Sequence, residues 1–289
     1  MKYGAHIYVW TDRWSDERLH LLESARSLGL DFVELSVGDD VRFTPELTRE
    51  QAQALGLELT VSPGGYWPPD CDVASYDPEE RRKGLEWHRR QVEVAGELGA
   101  VAYAGALYGH PGNVDRSRPP ERCRPAAAEC LHQLAEYAGE RNVRLVIEPM
   151  SRFRTHVLNT PEQAVRFLRA ADHPNLRALL DTWHMVNEVR SYGDAVRTYG
   201  DRLWGIHACG SDRGAPGGGL VSWDELFAAL ARTGFDGHVA LETYNTSVRG
   251  GRFALERGVF RDICPDGDEF VRSGLRFLRR KAKEHGCPE

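Results

Sequence analysis

Short apolar runs alternate along the whole chain with longer stretches in which apolar positions recur every three or four residues. The short runs predict strands near 2–9, 32–37, 58–63, 101–107, 144–149, 177–182, 203–208 and 238–243. The periodic stretches predict helices near 15–28, 44–55, 79–98, 120–140, 161–172, 191–199, 222–233 and 267–284. Near-continuous apolar runs mark strands buried on both faces, as in a parallel sheet covered by helices. Boundary residues agree: Thr160-Pro161 and Ser222 with Glu225 read as helix starts, and Gly29, Gly56 and Gly234 as helix stops. Eight successive strand-helix units predict a closed α/β structure, a (β/α)8 TIM barrel. Because such barrels routinely reach about 250 residues as one domain, residues 1–289 are expected to form a single domain.

Four of the predicted strands run directly into a polar, metal-compatible residue: LVIEP into Glu148, ALLDT into Asp181, WGIHA into His207 and VALET into Glu242. A desolvated carboxylate or imidazole there costs several kcal/mol unless it has a partner, so four together imply one shared ion. Three carboxylates and one imidazole form a hard, oxygen-rich donor set. It suits Mn²⁺, Mg²⁺ or Co²⁺ with open positions for substrate better than a closed structural zinc. Glu34, in the run FVELS, is a secondary candidate to orient a ligand or contact substrate. His6, Trp10 and Tyr108, with Tyr8, Tyr66 and Trp67, supply rings suited to wall a small-molecule substrate. Two long connections, 108–119 and 244–266, follow the fourth and eighth strands and should shape the pocket on the catalytic face.

Composition narrows the partners. With 41% hydrophobic and 28% charged residues the chain can bury a sizeable core, and a net charge of -6 disfavours a nucleic-acid backbone. No stretch approaches the roughly 18 apolar residues of a membrane span, and MKYGAHIYVW lacks the apolar run of a signal peptide. A cytoplasmic location is expected, with a small-molecule partner. Six cysteines without CxxC spacing read as reduced thiols.

The segments EPMSRFRTHVLNT at 148–160, DTWHM at 181–185, IHACGSDRG at 206–214 and LETYN at 241–245 resemble the ketose 3-epimerase branch of the xylose-isomerase-like barrels. The resemblance implies that Glu148, Asp181, His207 and Glu242 hold one divalent metal ion, with Mn²⁺ the first expectation. It also implies that His184 and Arg213, placed three residues after the metal Asp and six after the metal His, bind substrate oxygens. Dimers or tetramers are common in the family.

The chemistry of the residues agrees. Removing a proton beside a ketose carbonyl and returning it on the other face needs two carboxylates on opposing sides, and Glu148 and Glu242 fit, acting through an enediolate. One departure touches the substrate. Where ketohexose epimerases of the family carry a second Glu, six residues after the first metal Glu, this chain has Arg154, which is open to a carboxylate or phosphate or to solvent. The competing expectation is a metal-dependent lyase or deglycosidase that removes the C2 proton of a 3-keto-glycoside and expels the aglycone. A nuclease of the same barrel superfamily would need more histidines and a basic surface, and a non-enzymatic scaffold would need no paired carboxylates.

Overall fold

The computed structural model describes residues 1–288, in which eight parallel strands pair in sequence order and the last closes on the first. The strands are β1 Lys2–His6, β2 Phe32–Ser36, β3 Glu58–Ser62, β4 Ala102–Gly105, β5 Arg144–Ile147, β6 Leu176–Asp181, β7 Leu203–Ala208 and β8 His238–Leu241. The helices are α1 His20–Ser27, α2 Pro45–Leu55, α3 Pro78–Glu97, α4 Arg124–Gly139, α5 Pro161–Ala171, α6 Thr182–Met185, α7 Tyr192–Tyr199, α8 Trp223–Thr233, α9 Arg252–Glu256 and α10 Gly267–His285. All eight predicted strands and helices are present, and α6 and α9 are short additions on the connections after β6 and β8.

The first strand is shorter than its apolar run, because residues 7–9 wind into a 3-10 turn whose Tyr8 N–H donates to His6 Nδ1 at 3.1 Å. Thr160 caps α5 with a full capping box, its hydroxyl accepting from Gln163 N–H while the Gln163 side chain reaches back to the cap backbone. Ser222 stands at the start of α8 as expected, but it makes no side-chain cap there, and Glu225 instead accepts from Ser191 Oγ and from Tyr192 N–H.

Register places the polar strand residues on shared faces. His6 pairs with Glu34, Glu34 with Thr60, and Asp181 with His207, and partners in a parallel ladder point the same way. Glu148 and Glu242 each stand one residue beyond a strand, but their N–H groups continue the ladder by donating to Gly105 O at 2.8 Å and Ala208 O at 3.4 Å. His6, Glu148, Asp181, His207 and Glu242 sit at or next to the C-terminal ends of their strands, where a barrel builds its active site, whereas Glu34 and Thr60 lie mid-strand, one layer deeper.

Candidate active site and metal centre

Glu148, Asp181, His207 and Glu242 each offer a ligand atom, and these atoms lie within 4.8 Å of one another with all four residues buried. His207 is central. Its Nδ1 is 3.1 Å from both Glu148 Oε1 and Glu242 Oε2, and its Nε2 is 3.1 Å from Glu34 Oε2. Arg213 closes the group, with Nη1 2.5 Å from Asp181 Oδ2 and 3.2 Å from Glu242 Oε2.

The electrostatics of these buried groups ask for a cation. Burial pushes the Glu148 carboxyl up to about 8. Burial also opposes the His207 imidazolium, but the carboxylates of Glu34, Glu148 and Glu242 overcome it and hold its pKa well above the ordinary value. Glu242 is pulled the other way, since Arg213 and His207 outweigh its desolvation and keep it well below the usual carboxylate range. Its Oε2 is nevertheless buried without a directed hydrogen bond, because neither nearby nitrogen is aligned on it. Three carboxylates around one imidazole, with an unsatisfied oxygen among them, fit a hard divalent ion.

The surroundings fix each side chain. Asp181 Oδ1 accepts from Trp183 N–H at 2.7 Å and His184 N–H at 2.8 Å, so the carboxylate also caps α6. Thr182 ties β6 to β7, its hydroxyl donating to Cys209 O at 2.7 Å and accepting from Cys209 N–H at 3.0 Å. Ser151 N–H donates to His184 Nδ1 at 3.1 Å, which places the His184 proton on Nε2. Burial lowers the His184 pKa to about 4, so at neutral pH this ring is an uncharged donor. Arg213 sits at φ 68, a strained conformation for a branched-off long side chain, and is held there by three bonds. Its N–H donates to Gly210 O at 2.9 Å, Gly210 N–H donates to Gly214 O at 2.7 Å, and Thr243 Oγ1 donates to Arg213 O at 2.6 Å.

A cavity of about 570 Å³ opens above the cluster. Glu148, Glu242, His184, Arg213 and Arg154 line it, together with Met150, Trp183 and Tyr244, whereas Asp181 and His207 do not. The two glutamates therefore face the cavity and the other two cluster members lie behind them.

Four sequence candidates are found elsewhere. Glu34 lies beneath the cavity on His207. His6 is beneath it too, 3.1 Å from Ser62 Oγ and 3.7 Å from Glu34 Oε1. Tyr108 is fully buried, because its hydroxyl is spent on the carbonyls of Glu148 at 3.0 Å and Leu158 at 3.1 Å; it braces the β5 end and walls no sugar. Trp10 turns its indole N–H to Asp268 at 2.8 Å, on α10. Trp67 likewise stacks on Trp87. In place of these rings the cavity takes Trp183 and Tyr244, and Tyr244 stands in LETYN, two residues after Glu242.

A parallel eight-stranded barrel with a buried three-carboxylate, one-imidazole centre at its C-terminal face is the arrangement of a barrel enzyme with a candidate metal site. Residues 22–281 match the xylose isomerase-like TIM barrel family, and the chain belongs to it. Among curated relatives, the chain is 30% identical to the ketose 3-epimerase of Arthrobacter globiformis, over 97% of this chain and 96% of that protein. It is 30% identical to the D-psicose 3-epimerase of Agrobacterium fabrum, over 96% of this chain and 98% of that protein. Among solved structures it is similar to the D-allulose 3-epimerase of Methylomonas sp. in complex with D-allulose, with a TM-score of 0.90 at 27% identity over 97% of each chain.

Proposed function

We propose that this protein is a divalent-metal-dependent isomerase that epimerises a ketose at C3. The observation that carries this reading is the division within the buried cluster, with Glu148 and Glu242 lining the cavity and Asp181 and His207 held behind them. Glu148, Asp181, His207 and Glu242 would hold the ion. When bound, a divalent ion polarises a carbonyl oxygen and so acidifies the neighbouring C–H.

Glu148 follows β5 and Glu242 follows β8, so the two carboxylates approach the substrate space from well-separated strands. One takes the C3 proton and the other returns a proton to the opposite face. Neutral His184, with its proton on Nε2, donates to a substrate oxygen, and the Arg213 guanidinium meets negative charge that develops on the oxygens. Glu34 orients His207 from behind, leaving Nδ1 for the ion.

Mn²⁺ is the ion we assign, with Mg²⁺ or Co²⁺ as substitutes, on the hardness of the donor set. The substrate is a small ketose. No described helix is long and apolar enough to cross a membrane, and the six cysteines are unpaired, which supports a reducing cytoplasm. We propose a homo-oligomer, dimer or tetramer, to be checked by sedimentation. The lyase reading shares the first step, but relatives aligned over nearly the whole chain are 3-epimerases, which favours epimerisation.

The test is NMR in D2O with Mg²⁺-loaded enzyme and D-fructose, D-tagatose, D-psicose or L-ribulose, beside a 3-keto-glucoside. Deuterium at C3 with a new epimer is expected. Aglycone release from the 3-keto-glucoside alone would transfer the assignment to the lyase.

A further inference from the structure

The loop after β8 brings a second basic group to the cavity, well along the chain from the metal cluster. Arg257, Gly258, Val259, Phe260 and Arg261 form one wall, and Arg154 from the loop after β5 contributes to another. Four guanidiniums thus line one space. Two are neutralised: Arg213 by Asp181 and Glu242, and Arg261 by Asp212 at 2.7 Å. Arg154 and Arg257 have no carboxylate partner among the described residues.

Arg257 is the better defined of the pair. Its guanidinium lies 5.2 Å from the Tyr8 ring centroid, 5.9 Å from Tyr244 and 5.7 Å from Phe253, and its single hydrogen bond is from Nη2 to Tyr8 Oη at 3.3 Å. A guanidinium has five N–H donors in a planar fork, so most of this one is unspent. The acids nearest to it are already engaged. Asp40 pairs with Arg13 at 2.8 Å, and Glu256 pairs with Arg249 and with Arg252 at 2.9 Å. The Tyr244 ring links this group to the catalytic end, since the Arg213 guanidinium lies 5.8 Å from the same ring. A half-buried cation held by aromatic faces, with its fork free and facing a cavity, is built to receive an anion.

The cavity, about 570 Å³, has room for a small-molecule ligand that reaches from the glutamates to Arg257. We propose that the substrate is a ketose carrying an anionic group, a phosphate or a carboxylate, and that Arg257, assisted by Arg154, binds that group. This rests on the epimerase reading and narrows its substrate class.

The experiment compares C3 proton exchange and epimer formation by the Mn²⁺-loaded enzyme for D-fructose, D-fructose 1-phosphate, D-fructose 6-phosphate and a terminal ketohexuronate. An advantage in kcat/KM of about tenfold or more for an anionic ketose is expected, the scale of one charge-assisted hydrogen-bonded pair. Which probe carries it separates phosphate from carboxylate and locates the anion on the sugar. In Arg257→Met the ratio of anionic to neutral kcat/KM should collapse toward one through KM, and Arg257→Lys should restore part of it. Equal or better turnover of D-fructose, or a ratio unmoved in Arg257→Met, overturns the anion site and leaves the epimerase standing. If no ketose exchanges its C3 proton, the epimerase reading fails, and calorimetry with sorbitol 6-phosphate against sorbitol decides the site alone. Preferential binding of the phosphate that is lost in Arg257→Met upholds it, and equal binding of the two polyols ends it.

Discussion

Single side chains in this site divide by whether they reach the cavity. Glu148 and Glu242 do, so Glu148→Gln and Glu242→Gln should each lower C3 proton exchange by about 10² to 10⁴ while thermal unfolding stays cooperative. Near-normal exchange in both variants, followed by NMR in D2O, would refute the two-carboxylate mechanism. Glu34 does not reach the cavity, and its one strong contact is with His207 Nε2 at 3.1 Å. Glu34→Gln should therefore weaken metal binding by roughly 10- to 100-fold, the usual cost of disturbing a group that orients a ligand. Calorimetric titration with Mn²⁺ measures it, and an unchanged affinity would show that the contact is incidental. The four ligand candidates stood out in the sequence because each interrupts an apolar strand run. Tyr108 and Trp10 carried the same kind of signal, a ring near a strand end, yet their polar atoms are used by Leu158, Glu148 and Asp268, which lie far off in sequence.

At the scale of elements, capping separates two helices that look alike in sequence. Thr160 builds a capping box on α5, the helix that ends the loop carrying Glu148 and Arg154, whereas Ser222 makes no side-chain bond at α8. Thr160→Ala should cost about 1 kcal/mol, a fall of a few degrees in Tm, and Ser222→Ala should cost much less. Differential scanning calorimetry distinguishes the two, and equal shifts would contradict the assignment. Strands and helices were readable from periodicity because burial on a barrel wall is imposed residue by residue along each element. The 244–266 connection was readable only as a long loop. Its short helix α9 and the placing of Arg257 depend on contacts with Tyr8 and Tyr244, which no local pattern announces.

For the whole molecule, the ion is expected to join the barrel ends into one cooperative unit. Removing it with a chelator should lower Tm, and restoring it at about 100 times Kd should add about 2.7 kcal/mol. Metal binding should also depend on pH. With Glu148 pushed up to about 8 and His207 held well above its ordinary value, the metal-free cluster retains protons at pH 6 that an ion must displace. Affinity should rise between pH 6 and 8, with protons released. For the metal-free fold, a raised carboxyl means that the native state holds more protons than the unfolded chain from 4.5 to about 8, so the Glu148 contribution to stability falls as pH rises through that window. Bound metal should flatten this slope, and a Tm profile with the same slope with and without metal would sink the argument.

The order of strands and helices, the closed barrel and the four polar residues that gather at its end were already written in the chain. Each follows from near neighbours, either the period of apolar positions or a charge that cannot be buried unpartnered. Which glutamates face the cavity, which nitrogen of His184 keeps its proton and which arginines stay unpaired follow from distances between residues remote in sequence. Those distances exist only once the sheet has closed, because closure sets Glu34 against His207 and Arg257 against Tyr8.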